Sequence, residues 1–506
     1  MINLLKRFVS IAVLILLCLV GIPLSGWSTA AQKTGAPKDA LVADLESALP
    51  GLIKEADIPG LSIAVIRDGK LLWSGAFGIK SALTKEPVSE DTIFEAASLT
   101  KPFFAYYVMK LVEAGELDLD KPLVGYVPRD FLVKNYIEHP RELEGFRRDW
   151  FEKITARMVL SHSSGLPHGD PRRPLPIFFE PGTKYRYSAD GYFYLQKVVE
   201  HLKGKPLEAL MRQAVIDPLG MTSSSLVWQD RYETRAAVGH DFFGVTDGKL
   251  RKRTEAHAAA TLYTTAKDYA RFVMAVLSDN GLKPATVREM LKPQIPVVQD
   301  ISWSLGFGRE ATPAGEAFWQ WGDYGTFRNY IVAYKNSGAA FVYLTNSFNG
   351  LSIGREIARR VFGVEKEPAI AYLNYAQYDA PSVRFVKAVI EKGIAETPAL
   401  FKEYREAYPQ EFNEQAGNWA GYLLLQSRRT QEAIAVFKLN VEAYPESANV
   451  YDSLSDAYIR AGDKEQAIFY CKKTLEIIPL DTKADKATLD TLRLGALDKL
   501  KDLEKK

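Results

Sequence analysis

At 506 residues the chain exceeds one ordinary core, and about two or three domains are expected. Its 47% hydrophobic and 25% charged residues are those of a soluble globular protein. A formal charge of +2 gives neither a basic field for nucleic acid nor an acidic tail. The six histidines and two cysteines show no metal-ligand spacing, so no metal site is expected. With Cys18 in a segment read as removed, no intrachain disulfide to Cys471 is expected either.

In chain order, Lys6 and Arg7 precede an apolar run from Phe8 to Leu24, and Ser28-Thr29-Ala30-Ala31 follows. Positive flank, apolar core and small-residue exit describe a signal peptide over residues 1–31, and hence a secreted or periplasmic protein. The run lies near the lower length limit for spanning a bilayer, so an uncleaved segment would instead act as an inner-membrane anchor. After a short polar stretch, a helix is predicted from Leu41 to Ala56. Strands Leu61–Arg67 and Lys70–Ala76 flank Asp68-Gly69, a two-residue hairpin turn.

The next stretch, Phe94-Glu-Ala-Ala-Ser98-Leu-Thr-Lys101, opens a helix whose apolar face is Tyr107, Val108, Leu111 and Val112 and whose stop is Gly115. Residues three apart share a helix face, which brings the amine of Lys101 beside the hydroxyl of Ser98. A serine is a weak nucleophile until a neighbour takes its proton. A lysine can do so once burial lowers its pKa, and Ala96, Ala97, Leu99, Phe103 and Phe104 supply apolar surroundings. The charged region from Arg129 to Lys153 reads as an insertion over this site.

A short helix from Ile154 to Leu160 ends in Ser161-His162-Ser-Ser-Gly-Leu-Pro167, where a histidine more often bonds backbone than acts as a base. Tyr187 falls just before another helix, with Ser188 or Asp190 as its N-cap. Thr265 and Asp268 stand at capping-box spacing. Tyr330–Tyr334 and Ala339–Thr345 read as adjacent antiparallel strands, and Ile353–Val361 as a closing helix. Residues 39–363 are therefore expected to form an α+β domain, an antiparallel sheet flanked by helices.

With Ser98-Leu-Thr-Lys101, Leu160-Ser-His-Ser-Ser-Gly-Leu166, Tyr187-Ser188, Pro218-Leu-Gly-Met221, Leu262-Tyr-Thr-Thr265 and Leu344-Thr-Asn346 in this order, the stretch resembles the serine β-lactamase and penicillin-binding-protein-like hydrolases. The branch it resembles is the one related to class C β-lactamases, esterases and D-aminopeptidases. The resemblance implies Ser98 as acylated nucleophile, Lys101 as its proton partner, and Tyr187 as phenolate or relay. It places Gln320, Trp321, Gly322 and Asp323 at the substrate-binding and oxyanion strand, with backbone N–H groups of Ser98 and near Asp323 as the oxyanion hole. No cofactor is implied.

Two positions depart from the family's pattern. Ala189 stands where an asparagine is usual, and Gln320 where a lysine or histidine is. Loss of that cation weakens carboxylate binding, so an uncharged ester or amide is the expected substrate rather than a β-lactam. Trp319, Trp321, Tyr324 and Phe327 read either as an apolar wall to the site or as sheet packing. A fold that binds without turnover is the alternative.

From residue 364 the character changes. Residues 364–381 read as a linker, and residues 382–506 as all helix. Ala433, Phe437 and Pro445 recur 34 residues later as Ala467, Cys471 and Pro479, and small residues recur likewise at Gly421 and Ser455. That is the tetratricopeptide period. An earlier helical pair spans residues 383–408, and residues 483–506 form a polar capping helix. Binding of a protein or peptide partner, packing on the hydrolase domain and self-association are all open for this module.

Overall fold

In the computed structural model, which describes residues 39–132, 147–170 and 175–505, β1 (Gly60–Arg67) and β2 (Lys70–Gly78) form the expected hairpin. Asp68 and Gly69 both take positive φ, 53° and 70°, the turn geometry that matches the twist of paired strands. A two-stranded ribbon joins β3 (Phe94–Glu95) to β4 (Tyr263–Thr264). The remaining strands are β5 (Ile295–Val298), β6 (Ile301–Trp303), β7 (Gly308–Thr312), β8 (Gly315–Asp323), β9 (Arg328–Tyr334) and β10 (Ala339–Thr345). With β1 and β2 they make an antiparallel sheet in the order β2-β1-β10-β9-β8-β7-β6-β5.

Side chains alternate across a strand, and β1 uses both faces. Ala64 and Ile66 enter one hydrophobic core, and Leu61, Ile63 and Val65 enter the other. Helices therefore cover the sheet on both sides. The second face holds α1 (Ala40–Glu55). The first holds α2 (Thr100–Glu113) and a series of helices after it. These are α3 (Arg129–Leu132), α4 (Arg148–Phe151), α5 (Ala156–Leu160), α6 (Ala189–Lys203), α7 (Leu207–Met211), α8 (Ala266–Leu277) and α9 (Pro284–Leu291). α10 (Gly354–Phe362) returns to the second face.

The predicted caps are present. Ser188 accepts from the Gly191 N–H to start α6, and Thr265 accepts from the Asp268 N–H to start α8. The Asp268 carboxylate turns to Ser223 and Ser224, so only half of the capping box is made. Part of the charged insertion, residues 133–146, lies outside the described residues, as does the signal-peptide reading. No described helix is long and apolar enough to cross a membrane.

Residues 364–381 are packed onto the sheet. They carry α11 (Pro368–Leu373), with Ala369 fully buried and Tyr372 against the Trp319 indole at 6.3 Å. Then come α12 (Pro381–Lys392), α13 (Thr397–Ala407), α14 (Glu414–Gln426), α15 (Thr430–Ala443), α16 (Ala448–Ala461), α17 (Lys464–Ile477) and α18 (Lys486–Lys505). The repeat positions explain themselves. Ala433, Phe437, Ala467 and Cys471 are fully buried, and a Cβ on Gly421 would stand 2.4 Å from the Phe437 ring. Lys387 bonds Glu55 O and pairs with Asp57, and Trp419 meets Phe242 at 6.3 Å, fastening the helices to the sheet domain.

Candidate active site

Ser98 sits in a 3-10 turn, Ala97–Leu99, immediately before α2 rather than inside it. Ala97 takes φ +49°, a sparsely populated conformation for a residue with a Cβ. Surrounding bonds hold it there: Thr100 Oγ1 donates to Ala97 O at 2.6 Å and accepts from Leu262 N at 3.0 Å. Lys101, one turn further on, is 1% exposed, and its Nζ lies 3.0 Å from Ser98 Oγ and 2.9 Å from Ala259 O. Burial drives the Lys101 amine down from 10.5 to about 7, because the charged form loses its hydration.

Tyr187 closes the third side. Its ring lies 4.7 Å from Lys101 Nζ, and its hydroxyl interacts with Ser98 and accepts from Gln320 Nε2 at 2.9 Å. Burial pushes this phenol well above its ordinary value, against the opposing hydrogen bonds from Ser98 and Gln320. Two bonds from one histidine fix the tyrosine: His162 O accepts from Arg186 N at 2.8 Å and His162 Nδ1 from Ser188 N at 3.1 Å. The carbonyl and the imidazole of this one residue thus clamp the two neighbours of Tyr187, Arg186 by the former and Ser188 by the latter. Burial and the field of Lys101 push the imidazole pKa well down, which suits a neutral acceptor.

Gln320 is fully buried and also donates to Ser98 O at 3.3 Å, so its amide ties Tyr187 to the Ser98 turn. Trp321 lies against Tyr187, with ring centroids 4.7 Å apart and planes tilted by 36°. At Gly322 a Cβ would lie 2.3 Å from Ala96 O, so only glycine lets β8 approach this turn. Asp323 is held by Arg328 Nε at 3.1 Å and the Tyr375 hydroxyl at 2.6 Å. Tyr324 N donates to Phe327 O within the β8–β9 register. Strand parity then turns the Asp323 N–H to the opposite edge of β8, away from β9. In that turn the first bonded amide is that of Leu99, leaving Ser98 N–H among the unclaimed N-terminal donors.

The aromatic residues divide. Trp319 and Phe327 are sheet packing, 0% and 2% exposed, because Trp319 still lies within the β7–β8 pairing opposite Gly308. Trp321 lies beyond the last such pair and stays partly exposed, as does Tyr324, whose hydroxyl donates to Ala260 O at 3.0 Å. The Ala259 carbonyl was absent from the sequence reading, and His162, read there as a backbone-bonding histidine, had no partners assigned. Gly322→Ala is expected to push β8 off the Ser98 turn, costing about 1–3 kcal/mol and lowering kcat more than it alters KM; urea denaturation and ester kinetics measure both.

Residues 42–366 match the family model described as Beta-lactamase. The chain belongs to that family. Among its relatives is the esterase EstB of Burkholderia gladioli, 26% identical over 373 residues that cover 63% of this chain and 94% of the esterase. Another is penicillin-binding protein 4 of Amycolatopsis lactamdurans, 26% identical over 350 residues, covering 61% and 86%. The solved structure of a class C beta-lactamase superposes with a TM-score of 0.56 at 19% identity, covering 66% of this chain and 99% of that one, which speaks for the fold. Residues 448–479 match the tetratricopeptide repeat. The Beta-lactamase family domain thus carries a helical-repeat module, and its relatives include an esterase and a penicillin-binding protein.

Proposed function

We propose that the protein is an exported serine hydrolase that cleaves an ester or amide through a Ser98 acyl-enzyme. The carrying observation is the amine of Lys101, 3.0 Å from Ser98 Oγ, in a site whose burial lowers its pKa to about 7, so that the neutral form is well populated at neutral pH. A neutral amine has two N–H bonds and one lone pair. Ala259 O takes one N–H, which leaves the lone pair for the Ser98 proton. Ser98 Oγ then attacks the carbonyl carbon, and the oxyanion forms between the N–H groups of Ser98 and Asp323.

Tyr187 acts as a neutral relay: its raised pKa argues against a phenolate and for a phenol that passes the proton on to the leaving group. Water then attacks the acyl-enzyme with the same groups working in reverse. Ala259 O supplies an anchor for Lys101 where Ala189 cannot, which favours turnover over the non-catalytic reading. Export rests on residues 1–31, and a protein partner for the repeats on their fold class alone.

The reading is tested by fluorophosphonate labelling with mapping of the modified peptide, beside turnover of short 4-nitrophenyl esters, D-amino-acid amides and nitrocefin. Label on the Ser98 peptide with ester or amide turnover is expected; an unlabelled, inactive protein would leave only the binding reading. Tyr187→Phe is expected to lower kcat on the order of 10²-fold or more while the protein still labels slowly at Ser98.

A further inference from the structure

Glu95, three residues before Ser98, is 7% exposed and faces two guanidinium groups, Arg251 and Arg253, each 3.6 Å from its Oε2. One cation neutralises one buried carboxylate. The second leaves an excess positive charge, and both side chains stay partly exposed, 41% for Arg251 and 32% for Arg253. Lys252 between them is spoken for by Glu233.

The two arginines stand beside Tyr324, which follows the site strand. Their guanidinium carbons lie 5.6 and 4.7 Å from the ring of Tyr324. Tyr324 follows Asp323 directly, and its hydroxyl bonds Ala260 O, one residue from the carbonyl that anchors Lys101. Arg251 Nη2 reaches Thr326 Oγ1 at 3.2 Å on the same loop. The segment is fixed rather than trailing: the Tyr263 hydroxyl of β4 donates to Arg251 O and accepts from Arg253 N. Burial, with the fields of Lys101 and Arg253 added to it, lowers the pKa of His257 to about 4. It is therefore neutral and adds nothing to the excess charge.

We infer that Arg251 and Arg253 form an anion subsite, and that the substrate of the Ser98 site carries a carboxylate a few bonds from its scissile carbonyl. This inference rests on the hydrolase reading above and replaces the uncharged substrate expected from the sequence. Gln320, the neutral and buried residue at the strand position where the family places a cation, cannot hold such a group. The arginines supply the charge from the facing segment, and a guanidinium suits a carboxylate because it offers two parallel N–H donors.

The test compares 4-nitrophenyl hemiesters of succinate, glutarate and adipate with neutral acyl esters of matched length. The protein is expected to favour at least one hemiester, and the ratio of kcat/KM between that hemiester and its neutral match is expected to fall about tenfold in Arg253→Gln or Arg251→Gln. Each variant keeps one cation on Glu95, and Arg253→Lys should recover part of the ratio. Ratios near one in the unmodified protein, or ratios that neither substitution moves, would overturn the subsite. Should neither ester turn over, the hydrolase reading fails but the subsite is still measured by adipate binding, followed through tryptophan fluorescence. Saturable binding weakened in the arginine variants supports it, and no saturable binding overturns it.

Discussion

Ser98→Ala is expected to abolish ester turnover, by a factor on the order of 10⁴ or more, and to remove all fluorophosphonate labelling. The size of the effect follows from covalent catalysis. Without the hydroxyl, no acyl-enzyme forms, and what remains is the oxyanion donors and binding alone. The fold should be untouched, since Ser98 is only partly buried and its turn is held by Thr100, Leu262 and Gly322 instead. Melting temperature and far-ultraviolet circular dichroism check that point. Labelling that persists in the variant would show that another residue is the nucleophile.

Lys101→Met is expected to combine lost activity with gained stability. Activity should fall on the order of 10³-fold or more, the upper part of what a general base contributes. In the unmodified protein, kcat/KM should rise with pH through about 7, as the buried amine loses its proton, and that limb should vanish in the variant. Stability moves the other way. The folded-state pKa of about 7 lies below the ordinary 10.5, so between these values the unfolded chain holds a proton that the folded chain lacks. Folding stability must then rise with pH across this window.

At pH 7 the displaced proton costs on the order of 4 kcal/mol. Methionine removes that cost and gives up the bonds to Ser98 Oγ and Ala259 O, about 1–3 kcal/mol together. A net gain of about 1–3 kcal/mol is expected, read by urea denaturation at pH 7 and shrinking toward pH 10. A variant less stable than the parent at pH 7 would mean that Lys101 is folded in its charged form.

What the sequence declares and what it conceals divide along a physical line. The Asp68-Gly69 hairpin, the caps at Ser188 and Thr265, and the 34-residue spacing of Ala433 and Ala467 are local chemistry, readable within a few turns of chain. The spacing of Ser98 and Lys101 is local in the same way, because one helical turn sets it. The Ala259 carbonyl is a backbone atom that any residue type supplies, and it reaches Lys101 across 158 positions. His162 was readable as a backbone-bonding histidine, but its partners, the neighbours of Tyr187, were not. Trp319 and Trp321 share a strand face and differ only in how far β7 extends beside them, a tertiary fact. The anion subsite was missed because Arg251 and Arg253 belong to no motif and acquire meaning only beside Tyr324.

The segment between the two modules has a practical consequence for anyone who would separate them. Tyr375 holds the carboxylate of Asp323, and Tyr372 lies against Trp319. A chain cut at residue 363 would therefore expose an aromatic flank and release the far end of β8, the strand that packs against the Ser98 turn at Gly322. Such a fragment is not a minimal enzyme but a damaged one, and a truncation that spares the site must keep the chain at least through Tyr375.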